Sequence, residues 1–145
     1  MKKKIFLLAL VAFVFLTGCS LKQSEKETST NEKESVATSV EGKYRLEDEK
    51  RKGTVYQGFE KYLTFEGKNV VVEDEYYGST YTGTYTLKDG KLNMIFTQYK
   101  DDDGSKEVVY KLIGKATTKN IKLTKETKDG LTGNINEVFE PVKEK

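Results

Sequence analysis

Ser79-Thr80-Tyr81-Thr82-Gly83-Thr84-Tyr85-Thr86-Leu87 alternates without a break. Tyr81, Gly83, Tyr85 and Leu87 fall on one face, and four threonines fall on the other. Successive side chains on extended backbone point to opposite sides, so this period of two predicts a strand with one face in a core and one in water. Lys88-Asp89-Gly90 follows as a tight turn, with Gly90 free to take positive φ at no steric cost. The alternation resumes from Lys91 to Thr97, where Leu92, Met94 and Phe96 face one way. The two runs make an antiparallel hairpin.

The same unit recurs along the chain. Tyr62 to Phe65, the turn Glu66-Gly67-Lys68-Asn69 and Val70 to Val72 form another hairpin. Val108 to Ile113 follows the turn Asp101-Asp102-Asp103-Gly104-Ser105. Ile121 to Thr124 lies between Thr118-Lys119-Asn120 and Lys128-Asp129-Gly130, and Ile135 to Phe139 precedes Pro141, the one proline. With Gly42 to Leu46 in front, these segments predict eight strands, and no segment of the domain has a helical period. Eight sequential strands joined by short turns predict an all-β fold, an eight-stranded antiparallel meander closed or nearly closed into a barrel. Closure removes the exposed strand edges, and at eight strands the interior holds packed side chains or one small ligand. The pattern resembles the lipocalin-like (calycin) group and the small lipocalin-like lipoproteins of Gram-positive bacteria. Gly42-Lys43-Tyr44 stands where that group has Gly-x-Trp at its first strand, with Tyr in place of Trp. FEGKNVVV (65–72) and LKDGKLNM (87–94) supply the repeated hairpins. The resemblance implies a small hydrophobic ligand in a shallow barrel cavity.

Strand parity points Tyr44, Phe65, Tyr81, Tyr85, Met94, Phe96, Tyr110 and Leu123 inward. The first seven are the candidate ligand-binding residues. They either line a pocket or fill a core, and strands this short favour the core. Val71, Ile95, Val109 and Ile113 fall on the opposite parity and predict apolar surface outside the barrel. Tyr76 and Tyr77 are adjacent and cannot both face inward, so one is expected at the rim, where an exposed tyrosine can anchor a partner. Asp101-Asp102-Asp103-Gly104-Ser105 fails as an EF-hand loop. Aligning Gly104 at the sixth position puts Tyr99 first and Tyr110 twelfth, and neither carries a carboxylate. Glu73 and Glu75 share a strand face and read as solvated carboxylates rather than a glycosidase pair.

Ahead of the domain stands MKKKIFLLALVAFVFLTGCS (1–20). Three lysines precede an apolar run, Ile5 to Leu16, that is too short to span a bilayer and fits the core of an export signal. Leu16-Thr17-Gly18-Cys19 resembles the lipobox of bacterial lipoproteins. The resemblance implies cleavage between Gly18 and Cys19 and a diacylglycerol on Cys19, holding the protein to the extracytoplasmic face of the cell membrane. Residues 1–18 are then the signal, and 19–41 the lipidated cysteine and its tether. Residues 42–140 are the barrel, and 141–145 a tail. Ser20 to Glu41 is rich in Ser, Thr, Glu and Lys, with four scattered apolar residues, and reads as a disordered spacer.

Lys2, Lys3 and Lys4 leave with the signal, so 22 of the 25 basic side chains remain against 23 acidic ones. That balance argues against nucleic-acid binding. With no histidine, and with Cys19 committed to the anchor, the chain lacks the residues for Ser-His or Cys-His catalysis and for His/Cys zinc sites. The sequence predicts a monomeric, non-enzymatic binding protein without metal or cofactor. Its partner is a small apolar ligand or, alternatively, an envelope protein met on the barrel surface.

Overall fold

The structure is a computed structural model that describes residues 34–143 except 56. Eight strands appear in chain order: β1 (Gly42–Leu46), β2 (Lys61–Glu66), β3 (Asn69–Asp74), β4 (Ser79–Lys88), β5 (Lys91–Asp101), β6 (Gly104–Ala116), β7 (Ile121–Lys128) and β8 (Leu131–Pro141). A one-turn helix, α1 (Asp48–Arg51), interrupts the loop between β1 and β2. Each strand pairs antiparallel with the next, and β1 pairs with β8 through Tyr44↔Pro141, Arg45↔Glu140 and Leu46↔Phe139. The predicted meander is therefore a closed barrel, an architecture consistent with a lipocalin-like fold.

Turn chemistry sets the register. Asp89 and Gly90 take φ of 51° and 72°, and Asp129 and Gly130 take 51° and 79°. Two positive φ values in succession make type I′ turns, whose twist matches that of the flanking strands. The Asp-Gly dipeptides thus fix the β4–β5 and β7–β8 hairpins.

Several strands run longer than the alternation suggests. β5 continues to Asp101 and β6 begins at Gly104, so the turn expected over Asp101 to Ser105 shrinks to Asp102-Asp103. The ladder register shifts at Thr82/Gly83, Phe96/Gln98, Ile113/Gly114 and Leu123/Lys125. Thr97 of β5 and Thr124 of β7 are left unpaired, and the inward parity of those two strands reverses beyond them. In contrast, β4 keeps Tyr81 and Gly83 on one face, and β6 keeps Leu112 and Gly114 on one face. Two inward glycines sit where strands approach most closely. A Cβ on Gly83 would lie 2.0 Å from the Ile95 carbonyl oxygen, and one on Gly114 2.3 Å from that of Lys122.

The interior is filled by Leu63, Phe65, Val70, Leu92, Met94, Phe96, Leu112, Ile121, Leu123 and Phe139, all at most 1% exposed. On the outside, Ile95 and Val109 are exposed and Val71 and Ile113 half-buried, which is the outward apolar surface expected from their parity.

The expected spacer is shorter than Ser20 to Glu41. From Ser35 the chain lies across one end of the barrel as a strap. The Thr118 N–H donates to the Ser35 carbonyl, Val36 bridges Thr117, and the Ala37 N–H donates to the Ala116 carbonyl. Ala37 and Val40 are 6% and 2% exposed. Ala37 and Val40 thus form a plug, and their burial outweighs the polarity of their neighbours, while Val36 stays exposed.

Candidate functional site

The two ends of the barrel differ. At the strap end, Tyr85 Oη lies 3.1 Å from the Val40 carbonyl oxygen and 2.9 Å from that of Gly67, tying the strap to the β2–β3 turn. The Phe65 ring packs edge-on against Tyr85 and Tyr44, with centroids 4.9 and 5.7 Å away. Burial, then the nearby Glu41, raise the Tyr85 phenol pKa, and Tyr44 is raised by burial, Glu41 and Tyr85. This end is sealed.

The opposite end opens into a recess of about 240 Å³. Its wall is the inward row of β2 to β7 continued past the apolar core. β2 supplies Lys61, β3 Asp74, β4 Ser79 and Tyr81, β5 Tyr99, β6 Tyr110, and β7 Glu126 and Lys128. Tyr77 adds a ring from the β3–β4 turn. Below lies Phe96, whose ring is 5.4 Å from Tyr110 and 6.3 Å from Tyr81. Tyr81 also meets Tyr99 and Tyr110, both at 4.9 Å.

Charges sit unusually deep here. Lys61 Nζ donates to Glu137 Oε1 at 2.7 Å, with side chains 11% and 19% exposed. Glu137 Oε2 is buried without a hydrogen bond. Asp74, 7% exposed, accepts the N–H groups of Tyr76 and Tyr77 at 3.1 and 3.3 Å, which folds the turn that carries both tyrosines. The Tyr110 hydroxyl donates to Glu126 Oε2 at 3.3 Å. Burial, followed by the charges of Glu126 and Glu137, pushes the Tyr110 phenol far above its ordinary value.

The loop beside the recess is held by the chain's two arginines. Buried Arg51 bonds Asp48 and the Phe59 carbonyl and approaches Glu60 at 3.2 Å, while Arg45 reaches Glu60 at 3.7 Å. The planar, multi-donor guanidinium suits such a many-partner clamp better than an ammonium. Phe59 stacks edge-on with Tyr76 and Tyr76 with Tyr77, at 5.3 and 4.8 Å, so the rim is aromatic.

Of the seven candidate ligand residues, Tyr81 and Tyr110 line the recess. Phe65, Met94 and Phe96 are core, and Tyr44 and Tyr85 belong to the sealed end. Sequence reasoning missed Lys61, Asp74, Ser79, Tyr99, Glu126, Lys128 and Glu137. The first three carry on the inward parity of Leu63, Val72 and Tyr81 and were open to discovery by extending those rows. Tyr99, Glu126 and Lys128 lie beyond bulges that reverse parity. Glu73 faces outward and pairs with Lys43 at 3.0 Å, and Glu75 accepts the Glu60 N–H at 2.9 Å, both in solvated settings. The Asp101 carboxylate accepts the Asp103 N–H at 3.0 Å and shapes its own turn. Gly18 and Cys19 lie outside the described residues.

Among the described residues, no three Asp, Glu, Cys or His side chains are grouped to hold a metal ion, and no helix is long and apolar enough to cross a membrane. Compared with known proteins, the chain matches no family model, no curated protein and no solved structure.

Proposed function

We propose that the protein is a lipid-anchored, extracytoplasmic lipoprotein of the lipocalin-like kind, a non-enzymatic binding module that takes a small ligand at the open end of its barrel. One observation carries the binding reading: one end of the barrel is plugged by its own chain while the other holds a recess of about 240 Å³. A recess below the usual 300–1,000 Å³ of ligand pockets suits a ligand smaller than a typical drug. Tyrosine rings on its wall offer the apolar face that the barrel resemblance implies, and hydroxyl and charged groups beside them fix orientation. The anchor rests on the order of basic residues, apolar run and Leu16-Thr17-Gly18-Cys19. A diacylglycerol provides the two chains that stable membrane attachment needs.

Native mass spectrometry of the full chain in detergent tests the ligand. A co-purifying small molecule retained by wild type and lost in Tyr81→Ala is the expected result, and retention in both places the ligand elsewhere. Metabolic lipid labelling tests the anchor. Label is expected in wild type and absent in Cys19→Ala, and continued labelling of the variant defeats the assignment.

The rim favours a second reading, contact with an envelope protein. Phe59 and Tyr77, linked through the Tyr76 ring, are 42% and 60% exposed beside the recess. Such a partner is lost on Phe59→Ala with Tyr77→Ala, whereas the ligand reading predicts that Tyr81→Ala has the larger effect.

A further inference from the structure

We propose that the recess selects a small organic cation, a molecule carrying an ammonium group. This deepens the ligand reading above and rests on it. The charges of the recess are unequally committed. Lys61 is spent on Glu137, 2.7 Å away. Asp74 and Glu126 form no salt bridge among the described residues. Their hydrogen bonds come from neutral donors, two backbone N–H groups and the Tyr110 hydroxyl. The lining therefore carries Lys61 and Lys128 against Asp74 and Glu126, and with Lys61 held by Glu137 neither lining carboxylate has a paired cation. The remaining cation, Lys128, is exposed at the lip, with Nζ 3.5 Å from Tyr81 Oη.

An anion would need a free inner cation, and the one present is paired. A purely apolar guest would strip water from Asp74 and Glu126 and give nothing back, a penalty of the kind that keeps buried charges paired. An ammonium ion supplies the missing charge. The tyrosine faces around it attract cations through the ring quadrupole within about 6 Å. The Tyr110 phenol pKa is raised first by burial and only then by the charges of Glu126 and Glu137.

The test is a calorimetric titration of the detergent-purified full chain with choline and with its uncharged isostere, 3,3-dimethyl-1-butanol. Choline is expected to bind about tenfold more tightly. Glu126→Gln should weaken choline about fivefold and Tyr81→Ala about tenfold, while Tyr81→Phe, which keeps the ring face, should bind nearly as wild type. Lys128→Gln, which removes the opposing charge, should tighten choline. Equal binding of the isostere, or binding of glucose in place of choline, overturns cation selectivity and leaves the recess as a ligand site. Choline binding that ignores Glu126→Gln and Tyr81→Ala puts the cation outside the recess and also overturns the proposal. If choline fails to bind, the cation assignment falls. If wild type also retains no small molecule in native mass spectrometry, the ligand reading falls with it.

Discussion

The sealed half and the open half of the barrel are built from the same strands, yet they follow opposite rules. Moving along β2 toward the mouth, the inward row reads Phe65, Leu63, Lys61. Along β3 it reads Val70, Val72, Asp74, and along β7 it reads Ile121, Leu123 and then, past a bulge, Glu126 and Lys128. Each row changes from hydrocarbon to charge at about the same height. In the sealed half, apolar burial drives folding, at roughly 25 cal/mol per Å². In the open half, polar groups are drawn inward at a cost in solvation that packing does not require. A region that keeps such groups largely out of water, beside an open recess, is where binding chemistry is expected.

The comparison breaks if the sealed half does not dominate stability. Phe65→Ala removes a ring buried against Tyr44 and Tyr85 and is expected to cost about 3–5 kcal/mol in urea denaturation. A loss below about 1 kcal/mol would contradict the division. In the open half, Lys61→Met strands Glu137 and should cost about 3 kcal/mol, whereas the double change Lys61→Met with Glu137→Leu should recover most of it. Failure of the double change to recover would make the pair a stabilising element, not an expense of the mouth. At the plug, Val40→Ala deletes two buried methyl groups and should cost about 1.5 kcal/mol. An unaltered midpoint would mean that the strap adds nothing.

Alkaline pH sharpens the contrast. Tyr110 has a phenol pKa raised above the ordinary 10.0, first by burial and then by Glu126 and Glu137. The folded state keeps the proton where the unfolded chain releases it. This contribution is therefore intact below about pH 10 and is lost as pH climbs further. Tyr110→Phe should flatten the alkaline limb of stability against pH, and an unchanged limb would assign that limb to other groups. Last comes the rim. Tyr77, 60% exposed, should tolerate Tyr77→Ala within about 0.5 kcal/mol of wild-type stability.

The sealed half was legible in the sequence because its physics is local and periodic. Asp89-Gly90 and Asp129-Gly130 dictate their turns, and Leu92, Met94 and Phe96 declare their face by spacing alone. The mouth was poorly legible for two physical reasons. Bulges after Phe96 and Leu123 reverse parity, so Tyr99 and Glu126 read as outward when they turn in. Charged residues such as Lys61 and Asp74, both close to 90% buried or more, look like solvated strand ends in any hydrophobic pattern. The strap escaped notice for a third reason. Val36, Ala37 and Val40 carry no period, and the burial of Ala37 and Val40 depends on an end of the barrel assembled from residues far along the chain. Tyr44 and Tyr85 pack against the core, as parity predicts, but parity cannot tell which end a residue guards.

The strap also has a mechanical meaning. The chain enters the barrel at its plugged end, so tension transmitted through the N-terminal segment reaches the few hydrogen bonds of residues 35–37 before it reaches any hairpin ladder. A pull from that side would peel the strap one contact at a time and lengthen the leash by a few residues, while the closed sheet and the recess at its far end stay intact. The strap would then serve as a small shock absorber between whatever holds the N-terminal segment and the cup at the other end.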